Sequence, residues 1–121
     1  MIRIPAARKM KTRTEVRSVD VAANPYLAIA GILAAGLDGI KGNSKKYEPI
    51  YENLFKASEE ERKEMGVESL PGSLKEAIEE FKKDRVIQEA MGEHVSTKLI
   101  EAKTIEWNEY RRHVSVWEIQ K

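Results

Sequence analysis

The chain has 121 residues, 41% hydrophobic and 34% charged, with a net charge of +1, which describes one ordinary globular domain at most, in which disorder is not expected. It contains no cysteine, so disulfides, thiolate metal sites and cysteine nucleophiles are excluded together, and a cytoplasmic location fits. The longest uninterrupted apolar run, YLAIAGILAAGL, is about half of the ~20 residues a membrane span needs, and the N-terminus lacks the apolar core of a targeting signal.

In chain order, Met1 to Pro5 alternates Ile2, Arg3 and Ile4 before Pro5, which reads as a short strand. The basic connector AARKMK follows, and Arg13 to Ser18 reads as a second strand. Two strands joined by so short a connector predict an antiparallel pair with a long loop. A lone hairpin is marginal in water and expects neighbours. Side chains alternate along a strand, so Arg13, Glu15 and Arg17 share one face, with Thr14 and Val16 on the other. Antiparallel pairing would bring Arg3 to the same face. This basic end holds six cations against Glu15 within residues 1–17, net +5, which leaves −4 for the remainder. Such an end attracts phosphates. It carries no aromatic residue on which bases could stack, so nucleic-acid binding is weakly supported.

Asn24 followed by Pro25 is a helix start: asparagine caps orphan amides and proline suits the first helical position. The helix from Tyr26 to about Leu37 is apolar all round and rich in Ala and Gly, a pattern that predicts packing on every side. Gly36 and Gly39 bracket its expected end, with Asp38–Gly39 a turn. The stretch KGNSKKYEPIYENL, with Tyr47 and Tyr51, reads as an irregular connector. Ser58 with Glu61 forms a capping box opening a short helix that stops at Gly66. Ser73 with Glu76 repeats the device, and Leu74, Ala77, Ile78 and Phe81 recur at helical spacing in a helix reaching Met91–Gly92. A last helix is expected from near Glu93 to Arg112, with Val95, Leu99, Trp107 and Tyr110 turned inward, followed by the tail SVWEIQK. The expected fold class is therefore α+β, mainly α: a strand pair over residues 1–20, then about four helices over 21–121, in one partial domain. The all-round apolar first helix needs more cover than three partly amphipathic helices supply, which implies a larger protein or an oligomer.

His94 and His113 lie far apart and neither has a partner at zinc-ligand spacing, so both read as surface histidines. GLDGIKGN follows a helix rather than a strand and matches no phosphate-loop spacing. Trp107, Tyr110 and Trp117 read as core rather than as a ligand platform. Arg3, Arg13, Glu15 and Arg17 remain. Three guanidiniums suit bidentate contact with phosphate or carboxylate oxygens, and one carboxylate among them could ligate a hard divalent ion. A solvated sheet face fits the same alternation.

IRIP, RTEVRSVDVAANPYLA, AGLDGIK, SEEERKEMGVESLPGSLKEA and EWNEYRRHVSVWE, in this order, strongly resemble the C-terminal portion of bacterial type I glutamine synthetase. The resemblance covers essentially the whole chain. The family joins ammonia to glutamate with ATP through a γ-glutamyl phosphate, using two divalent ions, Mg²⁺ or Mn²⁺. The resemblance implies that Glu15 is a metal ligand, that Arg3 and Arg13 face the ATP phosphates, and that Arg17 reaches glutamate or its phosphorylated carboxylate. Thr14 stands where isoleucine or leucine is usual, off the functional face. Phe55 occupies the place of the tyrosine that enteric members adenylylate, so that regulation is expected to be absent; Tyr51, four residues earlier, is no convincing substitute.

The resemblance also implies partners: the rest of a synthetase subunit and its neighbours in a dodecamer. The family's N-terminal β-grasp-like domain, the carboxylates of the first metal, the other ligands of the second, and most of the glutamate and ammonia sites would lie upstream of Met1. The C-terminal tail that clasps the opposite ring would be cut short at Lys121. The chain by itself is therefore expected to be catalytically inactive. The alternative is a stand-alone interaction module that binds itself, a synthetase subunit or a nitrogen regulator through the Tyr26–Leu37 helix, as Met1 directly before a strand would suit.

Overall fold

A computed structural model describes residues 2–42 and 48–120. Tyr47, in the expected connector, lies outside the described residues, as does the side chain of Trp117. Strands β1 (Ile2–Arg3) and β2 (Glu15–Val16) pair antiparallel, with Ile2 opposite Val16 and Arg3 opposite Glu15. The two strands are shorter than the expected Met1–Pro5 and Arg13–Ser18. Pro5 has no amide to donate, and among the described residues no third strand continues the ladder. A three-residue 3-10 turn, Lys9–Lys11, lies between them, and Arg8 Nη1 donates to the Pro5 carbonyl at 2.7 Å to draw the loop in.

Six α-helices follow among the described residues: α1 (Pro25–Lys41), α2 (Glu59–Glu64), α3 (Leu74–Lys83), α4 (Arg85–Met91), α5 (Glu93–Tyr110) and α6 (Val116–Ile119). Their starts are local chemistry. Asn24 Oδ1 accepts from the amides of Tyr26 and Leu27 at 3.0 and 3.3 Å, with Pro25 in the first turn. Ser58 and Glu61 form the expected reciprocal capping box. Ser73 caps α3, but Glu76 reaches one residue further back, to the Gly72 amide at 2.9 Å.

Several sequence expectations about the helices change. Helix α1 runs through Gly36, Asp38 and Gly39 to Lys41 and is closed by Gly42, whose amide donates to the Asp38 carbonyl at 2.7 Å. Gly costs about 1 kcal/mol in a helix interior, too little to end one that is otherwise rich in Ala, Ile and Leu. The single helix expected up to Met91 is two, because Asp84 is extended (φ −85°, ψ 97°) and serves both neighbours. Its amide closes α3, its Oδ1 accepts from the Ile87 amide at 3.0 Å, and Gln88 Nε2 donates to the carbonyls of Phe81, Lys82 and Asp84. The Phe81 and Asp84 carbonyls also accept the amides of Asp84 and Gln88, and the Lys82 carbonyl, at the end of α3, is the acceptor a helix end leaves unpaired. The tail contains α6, opened by a capping box of Ser115 and Glu118. On α5, Leu99 and Trp107 are half-buried, but Val95 and Tyr110 face solvent, because the side that meets α3 and α4 carries Ser96, Leu99, Ile100 and Lys103 instead.

Helix α4 packs on α1, α3 packs on α5, and α4 joins the two pairs. Ile78 at the α3–α5 contact is buried, and Ser96 is buried with its hydroxyl donating to the Gln88 carbonyl at 3.0 Å. Gly31 is the close-approach point of α1, since a Cβ there would meet Ile87 at 3.7 Å and Met91 at 3.9 Å. Helix α1 is thus covered along one side by α4, not all round: Tyr26, Ile29, Leu33, Leu37 and Ile40 are more than half exposed. The whole chain exposes 11082 Å², whereas a compact monomer of 13.8 kDa exposes about 6,600 Å². No helix is long and apolar enough to cross a membrane among the described residues.

Candidate functional site

Glu15 collects the arginines. Register places Arg3 directly across from it, and the two-residue strand period places Arg13 and Arg17 on either side along the same face. Arg3 Nη1 donates to Oε2 at 3.0 Å, Arg17 Nη2 donates to Oε2 at 2.7 Å, and Arg13 Nη2 donates to Oε1 at 3.0 Å. All four residues singled out in the sequence therefore meet at one carboxylate, with a net charge of +2. The arginine side chains are about half exposed, at 51%, 55% and 47%, and Glu15 beneath them is 24% exposed. The Arg17 and then the Arg3 guanidinium hold the Glu15 carboxyl down to about 2 from an ordinary 4.5, against an opposing effect of burial. It is an anion at any physiological pH.

The other cations of the basic end do not join. Arg8 is spent on the loop carbonyl of Pro5, while Lys9 and Lys11 stand in solvent. The expectation of a plus–minus–plus face is realised, and that face is open to solvent. His94 and His113 are exposed. Phe55 projects almost fully into solvent beyond a turn in which Asn53 Oδ1 accepts from its amide at 3.1 Å, and Tyr51 is nearly as exposed.

A hard divalent cation takes about six oxygen ligands. Glu15 offers one carboxylate, and no group of three His, Cys, Asp or Glu side chains gathers among the described residues.

Comparison with known proteins gives the family of the chain. The family model for the glutamine synthetase catalytic domain matches residues 1–121. The chain belongs to the glutamine synthetase family. It is 51% identical over 121 residues to the glutamine synthetase of Thermotoga maritima, covering all of this chain and 28% of that protein. It is 48% identical over 118 residues to glutamine synthetase of Staphylococcus aureus strain MW2, covering 98% of this chain and 26% of that protein; in strain MRSA252 the identity is 47%. The chain thus spans about a quarter of the length of the curated synthetases it matches, consistent with their C-terminal portion. Gln88, Asp84 and Ser96, which hold the helical part in shape, escaped the sequence reading. The signal for Asp84 was present, an acid three residues before the amide it caps, but it stood inside an unbroken helical pattern.

Proposed function

We propose that this chain supplies part of the ATP-dependent glutamate–ammonia ligase site of a glutamine synthetase, and that by itself it is inactive. The observation that carries the reading is the convergence of Arg3, Arg13 and Arg17 on Glu15. Phosphoryl transfer depends on positioning and on neutralising charge, and planar guanidiniums fit phosphate oxygens two at a time. Arg3 and Arg13 take the ATP phosphates. Arg17 takes glutamate, and then the γ-carboxylate once it is phosphorylated. Glu15 is one oxygen donor to a Mg²⁺ or Mn²⁺ ion whose other ligands belong to the rest of the synthetase; bound there, the ion neutralises phosphate charge. Phe55, without a hydroxyl, leaves the chain without a tyrosine to adenylylate at that place.

A γ-glutamylhydroxamate assay with glutamate, hydroxylamine and Mg- or Mn-ATP tests both halves. The purified chain should give no product. When this segment replaces its counterpart in the Thermotoga maritima synthetase, product should appear and fall at least a hundredfold in Glu15→Ala. Product from the chain alone that vanishes in Glu15→Ala overturns the inactivity, and a fully active Glu15→Ala chimera overturns the role of Glu15.

A second reading is favoured by the exposed side of α1. Five large apolar side chains stand in solvent along it, more than a lone monomer usually leaves in one patch. A stand-alone interaction module would cover that side with a second copy, a synthetase subunit or a nitrogen regulator. Sedimentation at rising concentration, alone and with a full-length synthetase, separates the readings: a strictly monomeric chain that ignores the synthetase removes the second.

A further inference from the structure

The apolar residues on the exposed side of α1 are spaced symmetrically. Tyr26, Ile29, Leu33, Leu37 and Ile40 are each more than half exposed, and they stand seven and four residues before Leu33, at Leu33, and four and seven residues after it. At about 100° per residue they fall within roughly 80° of the helix circumference, on the side opposite Gly31, where α4 packs. Among the described residues no other element packs on α1. The stripe is therefore straight, uncharged and open over about 21 Å. Its centre is flanked by small residues, since Ala30 and Gly36 stand three positions either side of Leu33. A Cβ added to Gly36 would meet nothing within 4 Å, which leaves a notch beside Leu33.

We propose that this stripe pairs with the same stripe of a second copy, the two α1 helices running antiparallel about a two-fold axis at Leu33. A two-fold interface must be self-complementary, with residue i on j and j on i, and the spacing meets that condition at all five positions. Tyr26 meets Ile40 of the second copy, Ile29 meets Leu37 of the second copy, and the two Leu33 side chains meet beside the notches. Charge selects the direction. Helix α1 carries two charged residues, Asp38 and Lys41. A parallel pair in register would set each beside its own equivalent and align the two helix dipoles, which repel. The antiparallel pair sets them beside Ala28 and Pro25 of the second copy and opposes the dipoles. The five side chains offer on the order of 700 Å² per copy, close to the ~800 Å² a stable interface takes from each partner. Ala34 lies about 100° around the helix from the stripe's centre and stays outside the pair. The pairing rests on the reading of this side of α1 as an interaction surface, and it adds the occupant, the direction and the register.

Sedimentation equilibrium of the full chain tests the occupant. Wild type should dimerise with a Kd on the order of 10 µM. Leu33→Lys, which sets two like charges on the axis, should weaken the dimer about a hundredfold or more. Its circular dichroism should be unchanged, because Leu33 points away from α4. The chain has no cysteine, so introduced cysteines report the direction. Under copper–phenanthroline oxidation Leu33→Cys should link to itself. Ile29→Cys mixed with Leu37→Cys should give the mixed dimer, and far less linkage should form with Ile29→Cys alone. A dimer that Leu33→Lys leaves intact, or Ile29→Cys that links to itself as readily as to Leu37→Cys, overturns the antiparallel pair. A wild type still monomeric at about 1 mM overturns it too, and a full-length synthetase then separates two cases. If the monomer binds the synthetase and Leu33→Lys does not, the side remains an interaction surface with another occupant. If the monomer ignores the synthetase, the surface reading falls with the pair.

Discussion

Between Ile2 and Arg17 the chain is organised by charge, with three arginines around one carboxylate and no helix packed against either strand among the described residues. Between Leu74 and Tyr110 it is organised by an apolar seam at Ile78 and by polar groups used as joints, Asp84, Gln88 and Ser96. Exposed ion pairs contribute little to stability, and two strands of two residues make a marginal sheet. The first region therefore gathers the charges with little means of holding its own shape, and the second has the packing. The difference teaches that the arginine cluster is aimed by register and has to be steadied from outside. The large excess of exposed surface and the bare side of α1 say the same of the helices.

The sharpest way to break the contrast is at the seam. Ile78→Asp places an unpaired charge at the α3–α5 contact and should abolish cooperative helix unfolding in urea, followed by circular dichroism; the milder Ile78→Ala should cost about 2–4 kcal/mol. Both should leave the Ile2–Val16 contact in place, and its loss would show the regions to be coupled after all. Next in size, Asp84→Ala removes the cap of α4 and should cost about 1 kcal/mol, read as a lower urea midpoint at unchanged slope. Gly31→Ala has the opposite sign. Its new Cβ meets Ile87 at an ordinary 3.7 Å, so the variant should be more stable by about 0.5–1 kcal/mol.

Ala34→Asp is severe if α1 is covered all round, as its sequence suggests, but Ala34 is only half-buried. In this chain the change should stay within roughly 1 kcal/mol, and a larger loss would mean that another copy covers the helix. Smallest of all, Glu15→Ala should leave the urea midpoint of the helices unmoved; if they unfold, Glu15 is structural. Acid sharpens the same point. The Glu15 carboxyl is depressed from 4.5 to about 2, so whatever the cluster adds to the strand pair is fully present above about 4.5 and is lost as pH falls toward 2. A carboxyl NMR titration should find Glu15 ionised after the ordinary glutamates have protonated; a Glu15 that protonates together with them would show that the arginines do not hold it.

What could be read from the sequence was whatever acts over three or four residues or by strict alternation. Asn24, Ser58 and Ser73 announce their helices because a cap bonds amides two or three positions ahead, and Arg13, Glu15 and Arg17 share a face because strand side chains alternate. Even Arg3 could be placed with them, since antiparallel pairing is a local expectation for strands so close in sequence. Spacing alone leaves these residues open between a solvated face and an anion site, and only the family resemblance implies roles for them. Tertiary structure decided the rest. The break at Asp84 depends on Gln88 reaching back seven residues to Phe81. Ser96 rather than Val95 is turned inward because its hydroxyl finds the Gln88 carbonyl across the α4–α5 corner. Composition shows that α1 is apolar on every side, but which side is covered depends on where α4 lies, and only the Gly31 side lets Ile87 and Met91 come close.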